Sequence, residues 1–408
     1  MMNPKTEKNQ DALLSGMNIL DLADQKASFA SKLLADMGAR VIKVEKPGGD
    51  PARKTPDSGQ KSSSTQASLA FSYHNTSKAS ITLNLEHPRG RELFLRLVKR
   101  NDVVVETFPP GYLENQDLGF SCLSEVNPGV ILASVTGYGQ SGPQKKAKVC
   151  DLTAAASGGQ MSVTGSPESY PLALFGQQSY LAASLFAAVG ILIAFHRQRR
   201  TGIGEHIDIS LQEAVIASTE HLVLQYFYHH LVPGRQGRLH WNHLFYIFPC
   251  RDGFIQMTLT EQWETLVEWL DAEGRAEDLT DKKWHDNEYR LKHLGHIIEV
   301  LERWTKTHTT GELFKLGQLM QFPWAPVQSP AQILDCPQLK ARDYFQNIRH
   351  PDSARPLRYP KLPFKFSKPV SIPCRRAPAV GEANRRIYHE ELGISEDELK
   401  KLAAQGII

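Results

Sequence analysis

The chain has 408 residues, 41% of them hydrophobic and 22% charged, which is enough apolar material for one large and one smaller domain. A formal net charge of +3 is close to neutral for this size and gives no reason to expect a nucleic-acid partner. The five cysteines show no metal-ligand spacing and no C-x-x-C pair, which is typical of a reduced, metal-free protein. The N-terminus lacks a hydrophobic signal core, and the apolar run 185–195 is shorter than the roughly 20 residues that span a bilayer. We therefore expect a cytoplasmic protein.

The N-terminal half alternates strand and helix patterns. Strands are predicted at 17–22, 40–45, 102–106 and 130–135, and helices at 29–37 and 88–100. Strand–helix–strand units form parallel sheets, so the pattern predicts a doubly wound α/β domain. The turn 23–28 after the first strand lacks the glycines of a dinucleotide fingerprint, which argues against a nicotinamide or flavin cofactor.

The stretch 176–210 predicts a long buried helix that leads into a strand. Small and apolar residues run from 182 to 195, and the basic residues that follow complement the helix dipole. Tyr180 stands at the start of this helix, where unpaired backbone N–H groups stabilise a carboxylate or an oxyanion. We expect the functional site at this end.

The remaining patterns predict a smaller domain and a return to the larger one. Strands are predicted at 246–250 and 253–259, and helices at 213–228, 261–271, 287–306 and 310–321. Ser395 and Glu398 form a capping-box pattern that opens a final helix, which ends near Gly406.

Lysines recur near the predicted strand ends, at Lys26, Lys43, Lys46, Lys78, Lys145, Lys146 and Lys148. Parallel sheets bind ligands beyond the carboxyl ends of their strands, and phosphate groups attract such charges. The alternative is that these lysines belong to a solvated surface. The polar loop 47–65 is interpreted either as a lid or as plain surface.

Several motifs carry a resemblance to a known family. They are LLADMGARVIKVEKPGGDPAR, ITLNLEHPRGRELFLRLVKRNDVVVETFPPG, NPGVILASVTGYGQSGP, AAASGGQMSVTG and GILIAFHRQRRTGIGEHIDISLQEAV, with later matches in FPWAPVQSPAQILDCPQLKARDYF and in the C-terminal tail. Together they resemble the class III CoA-transferases, a family that includes formyl-CoA transferase, carnitine CoA-transferase and α-methylacyl-CoA racemase.

The resemblance implies a Rossmann-like large domain built from both chain ends, at 1–225 and 330–408, and a smaller α+β domain at 226–329. It also implies two ring-shaped subunits threaded through each other, with CoA and acyl-CoA as substrates and no bound cofactor. By motif, the residues expected to contact CoA are Lys26, Ala27, Lys46, Leu83, Thr107, Phe108 and Lys148. Asp117 stands where the family usually has an arginine.

The family's nucleophile is an aspartate ten positions before the glycine of the G-I-L motif. Counting back from Gly190 reaches Tyr180, and 177–179 contains no acid. A phenol with an ordinary pKa of about 10 is a poor nucleophile at neutral pH and cannot form the mixed anhydride of this reaction. The resemblance therefore implies a chain that lacks the catalytic aspartate.

Asp151 is the nearest acid by motif, and we interpret it mainly as a cap of the following helix, together with Thr153. The racemase branch needs a histidine before this aspartate, and Cys150 stands there instead, which argues against a racemase.

Three hypotheses remain open. The first is the non-catalytic subunit of a heteromeric transferase whose sister chain keeps the aspartate, as in succinyl-CoA:(R)-benzylsuccinate CoA-transferase. The second is a catalytic homodimer that uses Asp151 or a mechanism without covalent enzyme–CoA. The third is a CoA-ester binding or scaffold protein without turnover.

Overall fold

A six-stranded parallel sheet forms the centre of the larger of two compact units. The computed structural model describes residues 12–55, 68–350, 356–368 and 374–408. In the spatial order 3-2-1-4-5-6, the strands are β1 Asn18–Asp21, β2 Arg40–Glu45, β3 Ala79–Thr82, β4 Val103–Glu106, β5 Ile131–Thr136 and β6 Glu205–Ser210. The order reverses between β1 and β4, where doubly wound sheets bind ligands. The predicted doubly wound α/β domain is confirmed.

Helices cover both faces of this sheet. They are α1 Ser28–Asp36, α2 Leu69–His74, α3 Pro88–Val98, α4 Phe120–Val126, α5 Asp151–Ser157, α6 Gln178–Thr201 and α7 Leu211–Ala217. Because strand side chains alternate, Ile19 of β1 joins the apolar cluster that contains α1, α6 and α7. Leu20 joins the opposite cluster, with α3 and α4. The sheet is therefore buried on both sides, as parallel sheets are.

Helix α6 is the longest element, with 24 residues. By length and composition alone it could cross a membrane. Its buried residues Ala183, Ala187 and Ile191 join the apolar cluster beside α1 and the sheet, as in the core helix of an α/β domain. The helix ends at Gly202, whose left-handed φ of 73° favours glycine.

The C-terminal part of the chain completes the same unit, which comprises the described residues up to Gln160 together with Ala173–Leu222 and Asp343–Ile408. Strands β10 Phe345–Ile348 and β11 Leu357–Pro360 form an antiparallel pair. After a π-helical segment at Arg385–Glu391, the chain ends in a helix at Glu396–Ala404 that Ser395 caps, as predicted.

The second unit contains Met161–Leu172 and Val223–Arg342. Its antiparallel sheet consists of β7 Phe245–Pro249, β8 Phe254–Thr258 and β9 Ala325–Pro326. The helices are α8 Leu222–His229, α9 Trp263–Ala272, α10 Asn287–Lys292, α11 Leu294–Thr305, α12 Thr310–Leu319, α13 Pro330–Asp335 and α14 Pro337–Ala341. The first residue of α8 belongs to the other unit. The C-terminal helix Glu396–Ala404 of the larger unit is labelled α15. Five tryptophans belong to one apolar core, which gives this unit its own hydrophobic centre.

Two predicted helices are wrong because each is two helices. The predicted helix 213–228 is α7 followed by α8, since Glu220 in the intervening turn has a left-handed φ of 50° that a continuous helix does not allow. The predicted helix 287–306 is interrupted at His293, which ends α10 and precedes α11 with a φ of −117°. Of the predicted loop 47–65, residues 56–65 lie outside the described residues, and Pro51–Lys54 forms a 3-10 turn.

Two of the lysines considered as phosphate ligands are buried in ion pairs instead. The Lys78 Nζ donates to Asp21 Oδ2 at 2.7 Å, and both side chains are fully buried. The Lys43 Nζ lies 2.8 Å from Asp50 Oδ2 and is also buried. Burial alone would raise the pKa of Asp21, but the positive charges of Lys78 and Lys43 hold it below its usual value. These two lysines therefore stabilise the fold and do not face a ligand.

Replacing Lys78 by methionine should strongly destabilise the protein. The variant leaves the Asp21 carboxylate buried without its partner, which costs about 3–5 kcal/mol. Urea denaturation of Lys78→Met measures this loss. The control is Lys400→Met, which removes an exposed ion pair with Asp397 and should change the free energy of unfolding by less than about 1 kcal/mol. Equal effects of the two substitutions would contradict the assignment.

Candidate functional site

The first turn of α6 receives a carboxylate from α5. The Tyr180 backbone N–H donates to Asp151 Oδ1 at 3.0 Å, and the Ser179 hydroxyl donates to the Asp151 carbonyl oxygen at 2.9 Å. Because the first N–H groups of a helix have no partner within the helix, a carboxylate is favoured there. The structure thus places the nearest acid directly beside Tyr180.

The interpretation of Asp151 as a cap of its own helix is wrong. Asp151 is the first residue of α5, and Cys150 occupies the cap position, with its N–H donating to Thr153 Oγ1 at 2.8 Å. The Asp151 carboxylate is turned toward α6, where the Tyr180 N–H needs an acceptor. Burial raises the pKa of Asp151, although N–H donors from α6 oppose that shift.

Tyr180 is partly buried and packs against the apolar cluster around α6. Burial, with a further contribution from the negative charge of Asp24, raises the pKa of its phenol to about 12. The hydroxyl is therefore protonated at neutral pH and is a weaker nucleophile than an ordinary tyrosine.

The turn after β1 connects this helix end to the end of β4. Within the turn, the Lys26 ammonium forms an ion pair with Asp24. The Asp24 N–H donates to Thr107 Oγ1 at 2.9 Å, and the Gln177 side chain donates to Gln25 Oε1 at 2.8 Å. Of the predicted CoA contacts, the structure therefore links Lys26 and Thr107 with each other and with the start of α6.

A second group of predicted contacts lies along the β2, β3 and β4 ends. Lys46 follows β2 and forms an exposed ion pair with Glu86 at 2.9 Å. Phe108 follows β4, and its ring stacks on Tyr112 with 4.4 Å between the centroids. Leu83, after β3, is buried.

Ala27 and Lys148 differ from the other predicted CoA contacts in their exposure and in the contacts that they make. Ala27 is buried at the start of α1, so it can shape the site but exposes no side chain. Lys148 is exposed in the long loop after β5. Within the described parts of the chain, it shares no hydrogen bond or ion pair with the other six predicted contacts.

The charges along this edge are largely compensated from within the chain. Lys26 is paired with Asp24 and Lys46 with Glu86. Asp117 is exposed and has a left-handed φ of 56°, a conformation that aspartate tolerates. Any phosphate bound here would therefore compete with carboxylates for these cations.

Sequence reasoning did not single out Glu106, Ser134 and His206 as a group. Ser134 Oγ lies 3.0 Å from His206 Nε2, and Ser134 is paired in register with Glu106, where its hydroxyl lowers the pKa of the Glu106 carboxyl. Burial raises the pKa of Glu106 to about 7. The available signal was the acidic end of an otherwise apolar strand, VVVE, because a buried carboxyl at a strand end needs polar partners.

Comparison with known proteins decides the family. The family model described as CoA-transferase family III matches residues 14–384. The chain belongs to this family. Its members carry CoA-transferase names, and CoA thioesters are their substrates. Among the described residues, no group of three or more His, Cys, Asp or Glu side chains could hold a metal ion.

Individual relatives match over almost the whole chain. The chain is 31% identical to succinyl-CoA:(R)-benzylsuccinate CoA-transferase subunit BbsE of Thauera aromatica, over 97% of this chain and 98% of the relative. It is 30% identical to the succinyl-CoA–L-malate CoA-transferase beta subunit of Chloroflexus aurantiacus, with the same coverage. A solved CAIB/BAIF family protein from Brucella suis has a TM-score of 0.84 and 27% identity, over 93% of this chain and 100% of that one.

Replacing Asp151 by alanine should lower the thermal stability of the chain. The Tyr180 N–H then loses its acceptor, and the loss of such a cap costs roughly 0.5–2 kcal/mol. Asp151→Asn keeps a side-chain oxygen and should retain most of that stability. Differential scanning calorimetry at pH 7 compares the two. If alanine and asparagine gave equal melting temperatures to wild type, the capping role would be refuted.

Proposed function

We propose that this chain is the non-catalytic subunit of a heteromeric class III CoA-transferase, whose partner chain carries the nucleophilic aspartate. The observation that carries the proposal is Tyr180. A protonated phenol, with a pKa of about 12, stands at the start of α6, where the resemblance expects a carboxylate. The names of two relatives, a subunit BbsE and a beta subunit, support a heteromer.

The proposed reaction moves CoA from a succinyl-CoA-like donor to a carboxylic acid, with benzylsuccinate as one candidate acceptor. The partner's carboxylate attacks the donor thioester and forms a mixed anhydride, which releases the CoA thiolate. That thiolate then attacks the enzyme acyl group, releases the donor acid and leaves an enzyme thioester. The acceptor carboxylate attacks the enzyme thioester, which forms a second mixed anhydride and releases the CoA thiolate again. The thiolate then attacks the acceptor carbonyl of this anhydride, which gives the acceptor CoA thioester and frees the partner's carboxylate. The succinyl-CoA donor in the names of both relatives supports this class of donor.

An exposed apolar face on α6 supports assembly with a partner chain. Leu185, Phe186, Val189 and Ile193 are each about half exposed or more. Their spacing places them on the helix side opposite to the buried Ala187 and Ile191. Exposed apolar patches of this kind mark interaction sites. We propose that a homologous chain covers this face in the interlocked arrangement of the family and that the assembly is cytoplasmic.

The second candidate is a catalytic homodimer that uses Asp151, because the Asp151 carboxylate lies at the start of α6 beside Tyr180. Burial raises the pKa of Asp151, but the Tyr180 N–H holds its Oδ1 against the start of α6. This restraint makes the heteromer the stronger proposal.

A charge on the exposed α6 face should prevent assembly. Ile193→Glu places a carboxylate in a surface that the partner would bury, and burying an unpaired charge is strongly unfavourable. Sedimentation of the chain co-expressed with an aspartate-bearing homologue should show a 1:1 complex for wild type and separated chains for the variant. The matched control, Lys400→Glu, introduces the same charge at an exposed position on α15, away from the α6 face. A stable wild-type monomer that ignores the homologue would refute the assembly.

The catalytic assignment is tested by trapping the covalent intermediate. Tyr180→Phe keeps the ring packing and should leave the turnover of the assembled complex within a few-fold of wild type. Replacing the partner's aspartate should abolish turnover. Hydroxylamine attacks enzyme-bound thioesters, so in the presence of acyl-CoA it should label only the partner chain. Mass spectrometry that located the label on Asp151 would establish the second candidate instead.

A further inference from the structure

A row of polar side chains crosses three neighbouring strands beside the candidate site. Glu106 ends β4 and is paired in register with Ser134 of β5, whose hydroxyl lowers the pKa of the Glu106 carboxyl. The Ser134 Oγ lies 3.0 Å from His206 Nε2 of β6. Glu106 and Ser134 are almost completely buried, whereas His206 is partly exposed. The row therefore leads from a buried carboxyl toward solvent.

Glu106 also holds the loop that follows it. Its Oε2 accepts the Phe108 backbone N–H at 2.6 Å, and Thr107 Oγ1 accepts the Asp24 N–H at 2.9 Å. A hydrogen bond that an N–H group donates to a carboxylate is stronger than one that it donates to a neutral carboxyl group. The position of Phe108, and of the ring stacked on Tyr112, therefore depends on the charge of Glu106.

We propose that Glu106 is a positioning residue for the Thr107–Phe108 loop and that its carboxylate, maintained through Ser134 and His206, fixes this loop for the nucleotide part of CoA. The inference rests on the proposed function and on the expectation, implied by the family resemblance, that Thr107 and Phe108 contact CoA. It adds a group that acts through the loop and does not itself touch the substrate.

The direction of the hydrogen bonds follows from the single proton of the Ser134 hydroxyl. When Glu106 is a carboxylate, Ser134 donates to it and has lone pairs left to accept the His206 Nε2–H. When Glu106 is protonated, its own O–H can donate to Ser134, and Ser134 can then donate to an unprotonated Nε2. An Nε2–H on His206 thus favours the carboxylate form of Glu106.

The charges around the row place the change of state near neutral pH. Burial and, to a smaller extent, the negative charge of Glu114 raise the pKa of Glu106, while the Ser134 hydroxyl, the Phe108 N–H and Lys26 oppose the shift, and the resulting pKa is about 7. Phe120 stacks on the His206 ring at 5.7 Å, and Asp208 follows two residues later on the same face of β6. The carboxylate that holds Phe108 is therefore present above pH 7 and is lost as the pH falls through that value.

The first test measures CoA affinity of the purified full-length protein, with its partner chain where the two co-purify, by calorimetry at pH 6, 7 and 8. For wild type we expect affinity up to about tenfold weaker at pH 6 than at pH 8, because one pH unit changes the ionised fraction up to tenfold. Glu106→Gln keeps an acceptor for Phe108 and should remove this dependence. The CoA phosphate titrates near pH 6 in all samples, so each pH is compared with the variant. Glu125→Gln, on the exposed side of α4, is the matched control.

The second test probes the row itself. Ser134→Ala removes a hydroxyl that lowers the pKa of Glu106, so the midpoint of the affinity change should move to higher pH. His206→Leu should move it in the same direction, and His206→Gln, which keeps an N–H donor, should stay closer to wild type. Because Ser134 is buried, a thermal unfolding measurement first establishes whether the Ser134→Ala variant is folded. If that variant is unfolded, the comparison of His206→Leu with His206→Gln provides the test.

A measurement without CoA separates this inference from the proposed function. The protection of the Phe108 amide against hydrogen exchange, corrected for the intrinsic rate at each pH, should fall from pH 8 to pH 6 in wild type and remain constant in Glu106→Gln. If protection changes as expected but CoA does not bind, the positioning of the Thr107–Phe108 loop by Glu106 is confirmed and the proposed CoA contacts are wrong. If CoA binds while affinity and protection are both the same in wild type and variant at every pH, the positioning role of Glu106 is overturned.

Discussion

The buried pair of Asp21 and Lys78 is the interaction on which the candidate site depends. Asp21 ends β1 and accepts hydrogen bonds from the Ala23 N–H and the Ser31 hydroxyl, while Lys78 donates also to the Ser28 carbonyl. These bonds fix the turn between β1 and α1. The same turn presents Asp24 to the end of β4 and Gln25 to the start of α6. A structural ion pair on one side of the turn thus determines the geometry of the site on the other.

The start of α6 offers backbone N–H groups to only a small number of anions, and Asp151 already uses the Tyr180 N–H. A second carboxylate at position 180 would lie beside the first, and neighbouring like charges raise the pKa of one of them. The neutral phenol of Tyr180 avoids that repulsion. The substitution therefore suits a subunit whose helix start serves stability, with the covalent chemistry located elsewhere, as the proposed heteromer requires.

Much of the larger unit could be predicted because its strands and helices are strongly patterned. The predicted strand 40–45 matches β2 residue for residue, since RVIKVE contains three β-branched apolar residues and follows a glycine-containing turn. The break at Glu220 could not be predicted, because no glycine or proline lies beside it. At His293 the available signal was Gly295, two residues further on, at the start of α11. Tertiary contacts between polar side chains could also not be predicted from the sequence. Asp151 lies near Tyr180 through tertiary packing of α5 on α6, and Lys78 is buried although lysine is usually exposed.

The free-energy cost of breaking the ion pair of each lysine determines which of these lysines can bind the phosphates of a nucleotide. Freeing Lys43 or Lys78 would leave a buried carboxylate unpaired, at about 3–5 kcal/mol, which a phosphate contact does not recover. The side chains of Lys46 and Glu86 are 65% and 57% exposed, and breaking such a pair costs about 0–1 kcal/mol. Lys46 can therefore turn from Glu86 to a phosphate at little expense, and Lys148 is exposed throughout. We therefore expect Lys46 and Lys148 to be the lysines that contact the CoA nucleotide in the proposed heteromer, and their availability does not depend on which residue stands at position 180.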